Sequence, residues 1–282
     1  MPARILDLRG LAFLFTDLRL IVLGRVGLYH RGTLMSTAVP AIREGAVHLY
    51  YAAADVRDDR LLEIYRSLLT PQELLRHDQF RFERDQRQYL MTRALIRWVL
   101  SHHAGVPPEA FAFGTNAWGK PEIRQPDGLP LRFNASNTGG MVACVVALGH
   151  DVGVDVEDTA RFVDTISIAE ICFSKAEVEE LRALPAHARR ERFFDYWTLK
   201  EAYLKGRGMG LSIPLHKFTI EFGQMPGPTV VVDPDVDDGA CWQLTLTSPT
   251  ARHRLSSAVC LDDGPLLALL LQSVVPFADG ML

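Results

Sequence analysis

This chain predicts an α+β fold, in which strands and helices are segregated rather than alternating as βαβ units. Three observations carry that prediction. Runs with strand character occur at Ala46–Ala53 and again along the chain after Leu211. Between them lie long segments in which apolar residues recur with helical period. No sequence repeat and no regular strand–helix–strand alternation joins the two kinds of segment.

The elements follow in order. Ala46–Ala53 (AVHLYYAA) is aromatic and β-preferring, hence a first strand. Thr70-Pro71-Gln72-Glu73 is a helix start, with Thr as N-cap, Pro at the first helical position and Glu three residues after the cap. From Glu83 to Ser101, Leu90, Ala94, Leu95, Trp98 and Val99 mark an apolar helical face with arginines between, and Gly105-Val106-Pro107-Pro108 ends it. Gly114–Pro130 reads as loop, containing Gly-Lys-Pro at 119–121 and Pro-Asp-Gly at 126–128. Leu131–Asn134, Met141–Leu148 and Val152–Glu157 read as strands. Helices are expected near 164–172, 174–184 and 189–205, the second opened by a Ser174/Glu177 capping box. Five strands close the chain: Phe218–Phe222, Thr229–Asp233, Trp242–Thr247, Ser256–Leu261 and Leu266–Gln272.

Composition narrows the function. The 282 residues suffice for one large domain or two modest ones. At 48% apolar and 23% charged, the chain is ordinary globular material. A net charge of −4 argues against a dedicated nucleic-acid binder. Four cysteines without C-x-x-C spacing read as small buried apolar residues in a reducing compartment, so a soluble cytoplasmic protein is expected. The first 34 residues hold five Arg and two Asp. Their apolar stretches, Leu11–Phe15 and Leu20–Leu23, are too short and too interrupted for a span of ~20 apolar residues. Met1–Leu34 is therefore expected to be an upstream extension, with an amphipathic arm packed on the body as the alternative.

Two segments could carry chemistry. In Gly153-Val154-Asp155-Val156-Glu157, strand alternation puts the valines on one face and both acids on the other, ~6.6 Å apart at ~3.3 Å per residue. Such a pair can converge on a hard cation such as Mg²⁺, or can equally be two solvated acids. In Phe193–Lys205, Trp197, Glu201 and Lys205 fall at i, i+4, i+8 on one helix face, able to bind metal and phosphate together or to form a common solvent-facing ion pair. The glycines of Gly206-Arg-Gly-Met-Gly210 follow a helix, so they cap and turn rather than cradle a dinucleotide. No histidine spacing suggests a metal site, and Ser136 lacks a G-x-S-x-G elbow.

Taken together, Gly153–Glu157, Phe173-Ser174-x-x-Glu177, Trp197-Thr-x-Lys-Glu-Ala-x-x-Lys205 and Gly208-x-Gly-Leu211 resemble the signature of Sfp-type 4′-phosphopantetheinyl transferases. Gly119-Lys120-Pro121, Phe133-Asn134-x-Ser136 and the arginine-rich Arg76–Arg97 look like that family's coenzyme A-binding elements. The resemblance spans about Ala46 to Phe222. It implies two similar lobes in a pseudo-twofold arrangement, with an N-terminal lobe at 35–150 and a C-terminal lobe at 151–282 carrying the metal and catalytic motifs. A pseudo-dimer in one chain implies a monomer. The implied reaction is Mg²⁺-dependent transfer of the phosphopantetheine arm of coenzyme A to a serine of an apo acyl or peptidyl carrier protein, releasing 3′,5′-ADP. By the family pattern Asp155, Glu157 and Glu201 hold the metal, and Glu201, directly or through a metal-bound water, takes the serine proton. Lys205 neutralises phosphate oxygens, while Lys200 is structural or peripheral. Arg76, Lys120 and Ser136 match ligand-contacting positions. Asn137 stands where the family commonly has a His near the 3′-phosphate, and it cannot carry that charge. The other arginines of the segment cannot all reach a ligand, and several should pair with Glu83 and Asp85. The segment after the metal strand, with Ile166, Ile168, Ile171, Cys172 and Phe173 followed by Arg182, Arg189, Arg190 and Arg192, is the expected carrier-docking face, unless the isoleucines are core and the arginines solvated. Two other functions compete: a Mg²⁺-dependent pyrophosphohydrolase and a coenzyme A-binding module without catalysis.

Overall fold

The computed structural model describes residues 42, 44–223, 227–261 and 264–279, so the expectation for Met1–Leu34 lies outside the described residues. A first series of elements runs β1 (Ala46–Ala53), α1 (Asp59–Ser67), α2 (Pro71–Asp78), α3 (Glu83–Ala104), β2 (Ala112–Thr115), β3 (Pro121–Gln125), β4 (Leu131–Thr138) and β5 (Met141–Leu148). A second runs β6 (Val152–Asp158), α4 (Thr165–Cys172), α5 (Lys175–Ala183), α6 (Ala186–Arg207), β7 (Phe218–Glu221), β8 (Thr229–Val232), β9 (Trp242–Thr250) and β10 (His253–Cys260). The two series repeat one plan. Each is a strand, three helices ending in one of 22 residues, a two-stranded ribbon, and a hairpin whose second strand pairs antiparallel with the opening strand. The sheet orders are accordingly β1-β5-β4 and β6-β10-β9. The two similar lobes expected from the family resemblance are present as a repeat of topology.

Two expectations need correction. Gly114–Pro130 is not all loop: β3 pairs antiparallel with β2 inside it. The last strand, β11 (Ala268–Ser273), does not belong with residues 151–261. It pairs parallel to β1 and extends the first lobe's sheet to β11-β1-β5-β4.

Local chemistry sets the helix ends. Thr70 and Ser174 accept from the third-residue N–H of α2 and α5, while Glu73 and Glu177 reach back to the N-cap N–H. Gly105 and Gly208 end α3 and α6 in the left-handed conformation, at φ 65° and 64°. One face of β5 (Val142, Cys144, Val146) packs under Leu95 and Val99 of α3. Its other face meets the second lobe: Val47, Leu49 and Val145 share a core with Val152, Val154, Val156 and Val259. The valines of β6 thus fill the junction between lobes and turn Gly153, Asp155 and Glu157 the opposite way.

Inside the first lobe, the Tyr50 hydroxyl and His103 Nε2 are 3.0 Å apart, and the His48 ring stands edge-on to His103. Burial, with repulsion from His48 and His102, pushes His103 down to about 3. The folded protein then binds fewer protons than the unfolded chain once pH drops below about 6.5, so stability declines with acid from there. The melting temperature should fall between pH 7 and pH 5, and His103→Gln should flatten that slope. An unchanged slope in the variant would refute the assignment.

Candidate active site

The site forms where α6 crosses β6. The crossing is close because Gly153 has no side chain: a Cβ there would run into the backbone of Gly206 and Ala202. Gly153→Ala should therefore push α6 off the sheet and lower both melting temperature and activity. A stable, active alanine variant would contradict the packing. Further along the same face, the hydroxyls of Ser256 on β10 and Thr198 on α6 lie 2.9 Å apart. Ser256 is the cross-strand partner of Asp155.

That approach brings the acids of β6 and the Glu/Lys face of α6 together. Lys205 Nζ donates to Asp155 Oδ1 at 3.0 Å. Glu157 Oε1 lies 3.1 Å from Arg161 Nη2, on the turn after β6. Asp155 and Glu157 are each 1% exposed and Glu201 6%. Burying three carboxylates is costly without counter-charge, which Lys205 and Arg161 provide. Among the described residues, no three His, Cys, Asp or Glu side chains gather closely enough to cage a metal unaided. The donor set still suits Mg²⁺, which takes oxygen ligands and is usually held by one or two carboxylates, with waters and substrate phosphates completing the shell.

The stretch of α6 that carries Glu201 is anchored through the preceding residue. Lys200 is fully buried, 2.8 Å from Glu177, and its ammonium donates to the carbonyls of Leu215 and Phe218. Glu177 also accepts from the N–H groups of Ser174 and Ile220, both at 2.8 Å. The residue read as a capping box is thus a hub joining α5, α6 and β7. Lys200 is structural, as one of the two sequence readings has it.

The other expected ligand contacts are placed unevenly. Ser136 and Asn137 lie at the end of β4, which is tied to β6 by the Asp158 N–H donating to Thr138 Oγ1 at 3.3 Å. Ser136 is fully buried with no hydrogen bond to its hydroxyl, and Asn137 accepts from Gln88 Nε2 of α3. Gln88 is a partner that the sequence reading did not find. Lys120 sits at the C-terminus of α6, donating to Gly206 O at 2.8 Å and to Asp151 at 3.3 Å. Burial lowers its pKa and Asp151 partly offsets this. Its ammonium locks the 116–120 turn to the helix end, a favourable place for a cation. Arg76 is on the exposed side of α2, its guanidinium stacked over Phe80 at 5.1 Å. As expected, Arg87 pairs with Glu83 and Arg84 with Asp85, while Arg97 is buried against Glu73.

The arginines of the expected docking rim have partners within the protein. Arg189 donates to the carbonyls of Leu181 and Leu184 at the end of α5, and Arg190 to those of Thr159 and Arg161. Arg182 pairs with Glu170 and Arg192 with Glu180. These guanidinium groups are engaged within the protein. Ile171 is half exposed, whereas Phe173 is core.

The fold and site define a class first: two-lobed α+β proteins in which buried carboxylates meet a half-buried lysine where the long helix of the second lobe crosses its first strand. Comparison with known sequences narrows it. Residues 58–148 match the N-terminal 4′-phosphopantetheinyl transferase family, and residues 151–260 the 4′-phosphopantetheinyl transferase superfamily. The 4′-phosphopantetheinyl transferase HetI of Nostoc sp. (strain PCC 7120) is 32% identical over 167 residues, covering 59% of this chain and 70% of that protein. The 4′-phosphopantetheinyl transferase Sfp of Bacillus subtilis (strain 168) is 30% identical over 162 residues, covering 57% and 70%. The chain belongs to the 4′-phosphopantetheinyl transferase family. A holo-(acyl-carrier-protein) synthase from Bacillus anthracis, solved in complex with CoA (3′,5′-ADP), overlaps 39% of this chain and 94% of its own at 15% identity. Its TM-score of 0.35 marks a likeness too partial to carry an argument.

Proposed function

We propose that this protein transfers the 4′-phosphopantetheine arm of coenzyme A to a serine hydroxyl of an apo carrier protein, releasing 3′,5′-ADP. The observation that carries the reading is the ion pair of Lys205 on α6 with the buried Asp155 of β6, within a chain whose two halves both match this family. The chemistry is phosphoryl transfer at a pyrophosphate, which depends on charge neutralisation and in-line positioning more than on covalent help. Asp155, Glu157 and Glu201 would hold Mg²⁺, which when bound neutralises charge on the pyrophosphate. Lys205 is one helical turn from Glu201, and its ammonium is within reach of phosphate oxygens beside Asp155. Glu201 accepts the proton of the attacking serine. Ser136 and Asn137 bind coenzyme A from β4, and Lys120 holds the 116–120 turn for it. Arg76 offers a peripheral contact to the 3′-phosphate end.

No helix among the described residues is long and apolar enough to cross a membrane. Cys144, Cys172 and Cys241 form no disulfide, which supports a reducing, cytoplasmic setting. The pseudo-dimeric plan within one chain supports a monomer. Mass spectrometry of an apo carrier protein incubated with this protein, Mg²⁺ and coenzyme A tests the function. A phosphopantetheine increment on the carrier is the expected result. Free 4′-phosphopantetheine without labelled carrier would replace transfer by hydrolysis, and coenzyme A binding without turnover would leave a binding module.

A further inference from the structure

Arg161 is unusual among the arginines of the second lobe, because its partner is one of the buried site carboxylates. Its backbone is pinned from several sides. The Arg161 N–H donates to Asp158 O at 3.0 Å, its carbonyl accepts from Arg190, and Thr159 O accepts from Arg190 Nε at 2.7 Å. The side chain spans two environments. On one side it holds Glu157, whose carboxylate is 1% exposed. On the other it lines a cavity of about 500 Å³, together with Arg84, Arg87, Gln88 and Thr138. The side chain is 29% exposed, so it stands as the wall between a closed acid and an open cavity whose other arginines, Arg84 and Arg87, face Asp85 and Asp55. Its Nε is buried without a hydrogen bond, leaving donor capacity on the fork.

A guanidinium and a divalent cation held on the same carboxylate repel each other. An arriving phosphate changes the balance, because its oxygens accept the arginine fork in a two-bond geometry. We propose that Arg161 guards Glu157: it holds the carboxylate until a phosphate-bearing ligand enters the cavity, then turns to that phosphate and frees Glu157 for the metal. Arg161 is a positioning residue that couples coenzyme A binding to Mg²⁺ binding, and this rests on the metal assignment proposed above. By linkage each ligand then raises the other's affinity by the same factor.

Calorimetric titration of Mg²⁺ into the full-length protein, with and without coenzyme A and without carrier, tests this. In the parent protein, coenzyme A should tighten Mg²⁺ binding about tenfold, equivalent to about 1.4 kcal/mol. In Arg161→Gln, Mg²⁺ should bind about tenfold tighter than to the parent when coenzyme A is absent, and the coupling should shrink to whatever direct phosphate ligation of the metal supplies. Arg161→Lys keeps a counter-charge for Glu157 but loses the fork, and its coupling should fall to an intermediate value; it also serves if the glutamine variant does not fold. Parent-like Mg²⁺ affinity and parent-like coupling in whichever variant folds would overturn the guard. Glu157→Gln separates this from failure of the underlying reading: if that change leaves Mg²⁺ affinity at the parent value, the metal assignment itself is wrong.

Discussion

Glu201→Gln should lower the rate of carrier labelling about a thousandfold while the melting temperature stays within a few degrees of the parent. Glutamine matches glutamate in shape and keeps hydrogen-bonding capacity, so the α6–β6 crossing survives. What it lacks is the negative charge, and with it a hard ligand for a cation and a base for the serine proton. Removing one electrostatic contributor from a water-poor site commonly costs ~10²–10³ in rate, and Glu201 is assigned two roles in a setting that is only 6% exposed. Initial rates by mass spectrometry at saturating coenzyme A and Mg²⁺ measure it. A variant within tenfold of the parent would sink the assignment. Asp155 calls for Asn rather than Ala in the same experiment. Alanine would leave the Lys205 ammonium without the partner it has at 3.0 Å, confounding lost activity with lost packing.

Glu177→Ala should lower the melting temperature by roughly 10 °C. Breaking a buried ion pair by removing one member costs ~3–5 kcal/mol, and in a chain of this size each kcal/mol moves the midpoint by ~2–4 °C. The loss here is larger than one pair, because the Ser174 and Ile220 N–H groups lose their acceptor as well. Calorimetry checks it, and a fall of under 3 °C would mean that water replaces the carboxylate at little cost. The same pair has a pH signature. Burial holds Lys200 down at about 8, despite the pull of Glu177. Between about pH 8 and 10.5 the unfolded chain therefore binds more protons than the folded one, and this group makes stability rise with pH in that window. Lys200→Met should remove that rise.

The most legible part of the site was the strand. V-D-V-E announces its two faces by alternation alone, and the structure puts the valines in the inter-lobe core and the acids beneath α6. Capping boxes at Thr70 and Ser174 were legible for the same reason, being local. What escaped was long-range. Nothing near Glu177 shows that its second oxygen serves Ile220, forty-three residues on. Nor does the Gly-Lys-Pro motif show that Lys120 reaches Gly206, eighty-six residues on. The β2–β3 ribbon hid because strands such as Pro121–Gln125 are short and poor in β-preferring residues. The repeat between lobes was invisible because only the order of elements recurs, not the residues.

The pairing of β11 with β1 bears on the order in which the molecule can be assembled. A chain emerging from the ribosome presents β1, α1–α3 and the β4–β5 hairpin long before Ala268 exists, so β1 waits with one edge unpaired through the synthesis of the whole second lobe. Closing that edge joins residues some 220 positions apart, a contact of high sequence separation that is slow to form. Cutting the gene after residue 150 would therefore yield a first half missing a strand, not an independent unit. The first lobe is begun by β1 and finished by β11, so synthesis of Ala268–Ser273 is the event that completes it.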